Sequence, residues 1–391
     1  MTSHTNSLLK VNAIKEKFED LFGQPPLLYR SPGRINLIGE HTDYNDGFVL
    51  PAAINKEIFL AIAKNGGETC RVFSFDYNEM QVFNIRDFSR APSGWINYIT
   101  GVLAQLIGSG HHLEGFDCVF GGNIPIGAGL SSSAALENGV CFGISELFDL
   151  KLDRMTMLKF SQKAEHEYAG VSCGIMDQFA SMMGKAGHAI RLDCRSLDFT
   201  YFPLHLDDCQ FILCDTQVEH SLVETEYNVR RMECEIGVKS IKKYHKQVHG
   251  LRDVSFDMLE FVRHEVPSKV YQRCLYVLEE NNRLLKACQL LESGDLDGFG
   301  LLMYQSHEGL SKQYEVSCPE LDFLVEFTRK WAEVLGSRMM GGGFGGCTLN
   351  LIKKDQVEFF KSEISFAYHH QFGHKAQIYE VEIVDGTGAY I

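Results

Sequence analysis

The stretch PIGAGLSSSAALE, residues 125–137, decides how the rest of the sequence is interpreted. A turn containing Gly127 and Gly129 is followed by three serine hydroxyls and then by apolar residues four positions apart, which predicts a helix over 131–148. The free N–H groups and positive dipole end of that helix would point into the turn, where glycines let an anion approach the backbone. The stretch therefore indicates either a phosphate-binding turn or a common serine-capped helix.

Three better-known motifs do not fit this stretch. No Gly-Lys-Ser/Thr follows, so it is not a Walker phosphate loop, and Ser132 occupies the third glycine position of a dinucleotide fingerprint. Ser133 also occupies the position of the closing glycine in a hydrolase nucleophile elbow, Gly-x-Ser-x-Gly. The stretch therefore indicates either phosphate binding of another kind or a serine-capped helix.

Composition and charge restrict the partners that we expect. The chain has 391 residues, a net charge of −14 and no long basic block, which argues against nucleic acid or an anionic membrane as a partner. Twelve cysteines are scattered without a Cys-x-x-Cys pair, a usage that favours reduced thiols in the cytoplasm. No apolar run reaches the roughly 20 residues of a membrane span, and the first residues lack the apolar core of a signal peptide.

Periodicity predicts an α+β fold in two domains, since helices and strands interleave irregularly. A shift towards charged helical sequence places an approximate boundary between residues 1–205 and 206–391. Turns are predicted at Pro32-Gly33 and Asn45-Asp46-Gly47. The clearest further elements are helices at 7–22, 95–107, 154–169, 222–246, 269–291, 295–312 and 319–335, and strands at 58–64, 71–77, 116–120, 188–193, 211–216 and 376–384.

A second group of polar residues lies between Arg34 and Asp43, directly after a predicted strand. Its carboxylates and imidazole, on Glu40, His41 and Asp43, suit hydrogen bonding to a ligand with several hydroxyls. Spacing alone favours an ordinary charged surface loop, because no metal pattern such as His-Glu-x-x-His is present.

Two carboxylates further along the chain have alternative interpretations. Glu165 is either a solvated helix residue or, with a serine hydroxyl, part of a magnesium site, since Mg²⁺ needs few protein oxygens beside phosphates and water. Asp177, between Met176 and Phe179, is either a helix N-cap or a carboxylate placed to act on a hydroxyl.

The run GGGFGG, residues 341–346, matches a nicotinamide-binding fingerprint by letters only. A strand is predicted after it where that motif requires a helix, so we reject a nicotinamide site. The glycines would instead let the backbone approach a ligand or another loop, and Cys347 beside them is interpreted as a small buried residue.

Five motifs taken together resemble the galactokinases of the GHMP small-molecule kinase superfamily. They occur in the family's order, the resemblance as a whole extends from about residue 28 to residue 391, and GEHTDYN is a sugar-binding signature narrower than the superfamily. The motifs are SPGRINLIGEHTDYN (31–45), GLSSSAALE (129–137), AEHEYAG (164–170), CGIMDQF (173–179) and SRMMGGGFGG (337–346).

The resemblance implies transfer of the ATP γ-phosphoryl group to the 1-hydroxyl of α-D-galactose, the first committed step of galactose catabolism by the Leloir pathway. It implies an N-terminal domain with a mixed sheet, a C-terminal α+β domain and an active site between them. Asp177 would be the base, with Arg34 beside it steadying the transferring phosphoryl group. Ser133 and Glu165 would hold Mg²⁺. The sugar would be bound by Glu40, His41, Thr42, Asp43, Gly174 and Tyr227, and ATP by Ser74, Trp95, Gly127, Ala128, Gly129, Leu130, Ser131, Ser132 and Ser133.

Two departures from the family pattern carry expectations of their own. Met340 stands where the family usually has threonine, which removes a hydroxyl from the nucleotide side. Asn228 replaces a common proline and is expected to loosen the loop that carries Tyr227.

Two other functions are alternatives to a cytoplasmic, monomeric galactokinase. A catalytically silent galactose and ATP sensor, acting through a protein partner, resembles this family but loses the small residues after the serines. Ala134 and Ala135 are present here and favour the enzyme. A kinase for N-acetylgalactosamine would be expected to depart from EHTDYN, and this sequence does not.

Overall fold

The computed structural model describes residues 3–125, 127–171, 173–218 and 223–390. Within these ranges the α-helices are α1 (Ser3–Phe22), α2 (Ile96–Gly108), α3 (Ser132–Leu147), α4 (Arg154–Ala164), α5 (Met176–Met183), α6 (Val223–Lys242), α7 (Phe256–Phe261), α8 (Ser268–Ser293), α9 (Leu296–Glu308), α10 (Pro319–Thr328) and α11 (Val357–Phe372). Single π-helical turns extend α4 over Glu165–Ala169 and α9 over Gly309–Gln313.

The strands form three sheets. Their bounds are β1 (Leu27–Asn36), β2 (Phe48–Val49), β3 (Pro51–Lys64), β4 (Thr69–Ser74), β5 (Glu79–Asn84), β6 (Phe116–Gly122), β7 (His188–Asp193), β8 (Phe199–Pro203), β9 (Cys209–Asp215), β10 (Val334–Met339), β11 (Cys347–Lys353), β12 (Gln377–Val381) and β13 (Gly388–Ala389). The first sheet has the order β13-β1-β3-β6-β4-β5, the second β10-β11-β9-β12 and the third β2-β7-β8.

The first sheet is mixed and contains β1. This strand leads into residues 37–47, which include the predicted sugar-binding residues and are named the sugar-type loop. The β4–β6 pairing of the sheet is parallel, and its other pairings are antiparallel. Residues far along the chain complete it, because Gly388 of β13 pairs with Arg30 of β1. The Thr387 hydroxyl also lies 2.8 Å from the hydroxyl of Ser31. The strand β1 is thus held on both edges.

Most predicted elements are confirmed, and the α+β class is correct. One predicted turn is wrong: β1 runs straight through Pro32 and Gly33, where the register shifts by a β-bulge instead of reversing the chain. The helix expected over 319–335 ends at Thr328, and β10 begins at Val334. In the described residues no helix combines the length and apolarity needed to cross a membrane.

The glycine run 341–346 joins β10 to β11 and packs against neighbouring loops, as predicted. The N–H of Phe344 donates to the carbonyl of Val316 at 2.7 Å, and the N–H of Thr216 donates to the carbonyl of Gly346 at 2.9 Å. Cys347 is fully buried. The turn therefore links the second sheet to the surroundings of the site.

Candidate active site

An ion pair between Arg34 and Asp177 lies at the centre of the site. Arg34 is on β1, one residue after the bulge, and its Nε and Nη2 donate to the Asp177 Oδ1 and Oδ2 at 3.0 and 3.2 Å. The Arg34 side chain is 6% exposed, whereas that of Asp177 is 28% exposed. Asp177 is the second residue of α5, and Ile175 holds the cap position. The alternative that Asp177 is a helix cap is therefore wrong, and its carboxylate is free to face a ligand.

The turn of residues 127–131, which is predicted to bind phosphate and is named the phosphate-type turn, is hydrogen-bonded to Arg34 of this ion pair. The carbonyl of Leu130 accepts the Arg34 N–H at 3.2 Å, and the carbonyl of Gly129 accepts a bond from Arg34 Nη1. This approach requires a glycine before Arg34, since a Cβ on Gly33 would lie 2.5 Å from the Leu130 oxygen. One arginine thus fixes both the turn and the carboxylate.

The serines that follow the turn have separate partners. Ser131 precedes α3 in the left-handed conformation, with φ 62°, and its side chain makes no capping bond, so the serine cap is wrong. Its Oγ donates instead to Asp177 Oδ2 at 2.5 Å. Ser132 is the first residue of α3 and is partly exposed, whereas Ala128 and Leu130 are buried. Gly127 and Gly129 have φ values of 78° and 71°. Ile126, which precedes Gly127, lies outside the described residues.

Ser133 and Glu165 meet beside the turn. The Ser133 hydroxyl donates to Glu165 Oε1 at 2.8 Å, and Gln178 Nε2 donates to Glu165 Oε2 at 2.5 Å. Glu165 lies in the π-helical turn after α4 and is 6% exposed. Burial raises its pKa above the ordinary value, so the carboxylate would gain from a nearby cation.

The oxygen donors of Ser133 and Glu165 suit a magnesium ion that is also bound by phosphate and water. They do not suit a metal ion enclosed by protein ligands alone. In the part of the chain that the structure describes, no three His, Cys, Asp or Glu residues are grouped so that they could hold a metal. Mg²⁺ usually takes one or two carboxylates together with phosphate oxygens and waters. Ser133 and Glu165, both hard oxygen donors next to the phosphate-type turn, fit that requirement.

Sequence reasoning missed a second buried carboxylate behind Glu165. Glu137 of α3 is fully buried, and its Oε2 accepts from Gln178 Nε2 at 3.3 Å, so one amide spans two carboxylates. Burial, followed by the charge of Glu165, raises the Glu137 pKa well above its ordinary value. The available signal was a glutamate next to Leu136 on an apolar helix face.

A cavity of about 260 Å³ opens beside Asp177. Both members of the central ion pair and most residues of the predicted sugar site line it: Arg34, Glu40, His41, Asp43, Gly174, Asp177 and Tyr227. Glu165, Gly341 and Gly342 also line it. The cavity therefore borders the sugar-type loop, and the phosphate-type turn is connected to it through Arg34 and Asp177.

Glu40 is held from both halves of the chain. Its carboxylate, 2% exposed, accepts from Asn36 Nδ2 at 3.0 Å and from the N–H of Gly341 at 2.8 Å. Arg338 Nη1 lies 3.6 Å away and supplies an opposite charge. These bonds fix the orientation of the carboxylate and leave lone pairs on its oxygens for further partners.

His41 has a strained backbone and a neutral ring. Its φ is 60°, which is uncommon for a residue with a Cβ and is often found at functional positions. The ring is buried, and burial lowers its pKa to about 3. Nδ1 lies 2.8 Å from the hydroxyl of Tyr44. The imidazole is therefore uncharged near neutral pH.

Asp43 and Gly174 fit together closely. A Cβ on Gly174 would lie 1.9 Å from Asp43 Oδ2, so only glycine leaves room for that carboxylate. Burial, followed by the negative charge of Asp177, raises the pKa of Asp43 to about 7. The site thus holds an ionisable group whose charge changes near neutral pH.

Thr42 and the nine residues predicted to bind ATP lie outside the lining of this cavity. Thr42 is fully buried, and its hydroxyl has the carbonyls of Gly39 and Phe48 within 2.9 and 2.5 Å. The hydroxyl of Ser74, also buried, accepts the N–H of Tyr77. Trp95 Nε1 donates to Glu79 at 3.1 Å. Whether Ser74 and Trp95 border a nucleotide stays a prediction.

The two departures from the family pattern have plain structural places. Tyr227 and Asn228 lie on α6, so the expectation of a loosened loop is wrong. Tyr227 packs beside His41, with ring centroids 5.5 Å apart. Met340 is buried, and its sulfur lies 3.3 Å from the N–H of Asn36. Its side chain therefore packs inside the protein.

Replacing Asp43 by Asn should raise the melting temperature more at about pH 8 than at about pH 5. The raised pKa means that the folded state binds this proton more tightly than the unfolded state, where the pKa is about 3.9. Stability is consequently lost as pH rises through this interval, and asparagine removes that loss. Thermal unfolding at the two pH values measures the difference.

Asp253→Asn is the matched control. A hydrogen bond from Arg195 is the main reason that the pKa of Asp253 falls to about 2, so Asp253 is ionised at both pH values. This substitution should lower the melting temperature by a similar amount at each pH. An equal effect of Asp43→Asn at both pH values would contradict the raised pKa.

Comparison with known proteins agrees with this geometry. The galactokinase galactose-binding signature matches residues 16–64, the GHMP kinase N-terminal domain 97–185 and the GHMP kinase C-terminal domain 284–370. A galactokinase of Roseiflexus sp. (strain RS-1) is 40% identical over 382 residues, 97% of each chain. One of Thermotoga maritima is 42% identical over 359 residues, 92% of this chain and 98% of the relative.

Solved structures give the same result. The crystal structure of Lactococcus lactis galactokinase complexed with galactose has a TM-score of 0.92 at 34% identity, covering 97% of this chain and 99% of that chain. Methanococcus jannaschii mevalonate kinase, at 17% identity and a TM-score of 0.68 over 92% and 99% of the two chains, shares the fold. With near full-length identity of this size, the chain belongs to the galactokinase family of the GHMP kinases.

Proposed function

We propose that this protein transfers the γ-phosphoryl group of ATP to the 1-hydroxyl of α-D-galactose, giving α-D-galactose 1-phosphate and ADP. One observation carries the proposal: Arg34 joins the phosphate-type turn to Asp177 at the wall of a cavity lined by Glu40, His41 and Asp43. That arrangement supplies what phosphoryl transfer needs, namely two reactants held together and charge placed around the transferred group.

Asp177 orients the 1-hydroxyl and receives its proton as the new O–P bond forms. Its Oδ2 already accepts bonds from Arg34 and Ser131 and its Oδ1 one bond from Arg34, which leaves a lone pair on Oδ1 for the sugar. Arg34 keeps its charge at every relevant pH and lies within reach of both the carboxylate and the turn. It therefore holds Asp177 in place and stabilises negative charge on the phosphoryl oxygens.

The turn 127–133 and the first residues of α3 cradle the ATP phosphates. Support comes from the free N–H groups at the start of α3 and from the positive end of its dipole. Ser133 and Glu165 hold Mg²⁺, which when bound neutralises charge on the phosphate oxygens. The buried Glu165 carboxylate, with its raised pKa, supports that assignment because a cation would offset its desolvation.

Glu40, His41, Asp43, Gly174 and Tyr227 bind the sugar. The carboxylate of Glu40 is fixed by hydrogen bonds, and that of Asp43 fits closely against Gly174. A sugar with one hydroxyl on the wrong side of its ring would leave a buried polar group unpaired, which is how such sites reject close analogues. The enzyme acts in the cytoplasm as a monomer; its twelve cysteines, all within the described residues, are free and support a reducing compartment.

A panel of acceptors tests the activity. Purified protein with ATP and Mg²⁺ is given galactose, glucose, N-acetylgalactosamine, mevalonate or no acceptor, and ADP release is measured. Release with galactose alone supports the proposal. Binding of ATP and galactose without ADP release would indicate a silent sensor, and release with another acceptor would overturn the sugar assignment.

Asp177→Asn should lower kcat by at least about 100-fold, the usual size of base and orientation effects. Galactose affinity should change little, because the sugar keeps its other contacts. Steady-state kinetics and galactose titration measure the two effects. Asp253→Asn, at a residue that does not line the cavity, is the control. Near-normal turnover of Asp177→Asn would remove Asp177 from the chemistry.

Glu165→Ala should raise the Mg²⁺ concentration needed for half-maximal rate by about tenfold or more, because the only carboxylate proposed to hold the ion is lost. Glu167→Ala, two residues away and 49% exposed, is the matched control. Paramagnetic resonance of Mn²⁺ with the protein and a non-hydrolysable ATP analogue measures metal binding separately from turnover. An unchanged metal dependence of Glu165→Ala would exclude Glu165 as a ligand.

A further inference from the structure

A chain of hydrogen-bonding groups runs from the sugar loop into the C-terminal half of the protein. The hydroxyl of Tyr44 lies 2.8 Å from His41 Nδ1 and 2.8 Å from the hydroxyl of Tyr314. The Tyr314 hydroxyl lies 3.3 Å from Cys234 Sγ. Three hydrogen bonds therefore connect four groups in a row: the imidazole, two phenol hydroxyls and a thiol. Each of these groups carries one proton that it can donate.

The chain has two uniform orientations, which differ in the nitrogen of His41 that carries the proton. If the protons point towards His41, Tyr44 donates to Nδ1 and the ring proton is on Nε2. If they point the other way, Nδ1 donates to Tyr44 and the Tyr314 hydroxyl must donate to sulfur, a weak acceptor. A phenol is the better donor and an imidazole nitrogen the better acceptor, so the link to Tyr44 favours the first orientation.

The surroundings of the other ring nitrogen favour the same orientation. His41 lines the cavity, and its Nε2 is buried with no hydrogen-bond partner among the described residues. The groups that line the cavity beside it include the carboxylates of Glu40 and Asp43, which accept when ionised. An N–H on Nε2 is therefore better matched than a bare lone pair.

We propose that Tyr44 and Tyr314 are positioning residues that hold His41 in the neutral tautomer with its proton on Nε2, so that Nε2 donates a hydrogen bond to a galactose hydroxyl. The sugar contact rests on the proposed function, whereas the tautomer concerns the free protein. The oxygen of that hydroxyl accepts from His41, and its proton is directed to a carboxylate. Direction as well as position of the hydroxyl is then selected.

Packing around Tyr314 supports a positioning role. Tyr314 follows the π-helical turn after α9, and its carbonyl accepts from Arg230 Nε at 2.8 Å. Its ring, fully buried, lies 4.9 Å from that of His41 and 4.7 Å from that of Tyr276. Tyr276 in turn donates to the carbonyl of Glu40 at 3.1 Å. The C-terminal half therefore fixes the sugar loop at two successive residues.

The tautomer is measured directly by NMR of full-length protein labelled with ¹⁵N-histidine, without galactose. Correlations from the ring carbons' protons to both nitrogens distinguish a protonated from a bare nitrogen, and His41→Gln identifies the His41 signals among fifteen histidines. We expect a bare Nδ1 and a protonated Nε2. A protonated Nδ1 in the wild-type protein would overturn the proposal, whatever the activity.

Substitution tests the consequence for the sugar. Tyr44→Phe should disturb the His41 tautomer and raise the galactose KM about tenfold, as expected for one weakened hydrogen bond, with kcat changed less than about threefold. Tyr314→Phe should act in the same direction and more weakly. Tyr304→Phe is the control, because it removes another buried hydroxyl, 2.9 Å from Thr328.

The outcomes separate the two proposals. An unchanged tautomer and unchanged galactose KM in Tyr44→Phe would overturn the positioning role while leaving the kinase activity intact. An equal rise in KM for Tyr304→Phe would show a general structural effect and also overturn it. Failure of the proposed function would appear in the wild-type protein, as absence of galactose-dependent ADP release with the His41 tautomer as expected.

Discussion

The bond between Arg34 and Asp177 is the interaction on which the site depends. It joins a strand of the first sheet, the turn before α3 and the start of α5, because the same guanidinium reaches the carboxylate and the Gly129 carbonyl. Arg34 is 5% exposed as a residue, so its charge has little access to water and must be met by these partners. Loss of Arg34 or of Asp177 would leave the charge of the other residue unpaired. It would also break the connection between the strand, the turn and α5.

Much of the fold follows from local pattern, and the exceptions have physical causes. The helices α1 to α4 could be predicted from apolar residues at helical spacing, although α3 is buried on nearly every side. Helix α11 was missed since Phe359 and Phe366, 59% and 72% exposed, spread apolar residues around it. Pro32-Gly33 has the letters of a turn, but the neighbouring strand β3 holds β1 extended on both sides of the bulge. Tertiary pairing there overrides the local preference.

The site was predictable by motif rather than by spacing. Arg34 and Asp177 are 143 positions apart, and no periodicity relates them. The resemblance to the galactokinase family identifies both residues. The residues around Asp177 by themselves are equally consistent with a helix cap. Glu137 could not be recognised because its neighbours in sequence predict an apolar helix face. Tyr44 and Tyr314 could not be recognised because aromatic residues usually indicate a hydrophobic core. Which groups a buried side chain faces is decided by the assembled fold, and sequence carries that information only indirectly.

The return of β13 to the edge of β1 has a consequence for the order in which the protein is made. The strand that carries Arg34 emerges early from the ribosome, yet Gly388 and Thr387, which bind its outer edge, are added hundreds of residues later. Until then that edge presents unpaired backbone groups, a template for wrong pairing with other chains. Contacts between such distant residues also slow folding. The first sheet can therefore be completed at this edge only after synthesis has passed Ala389.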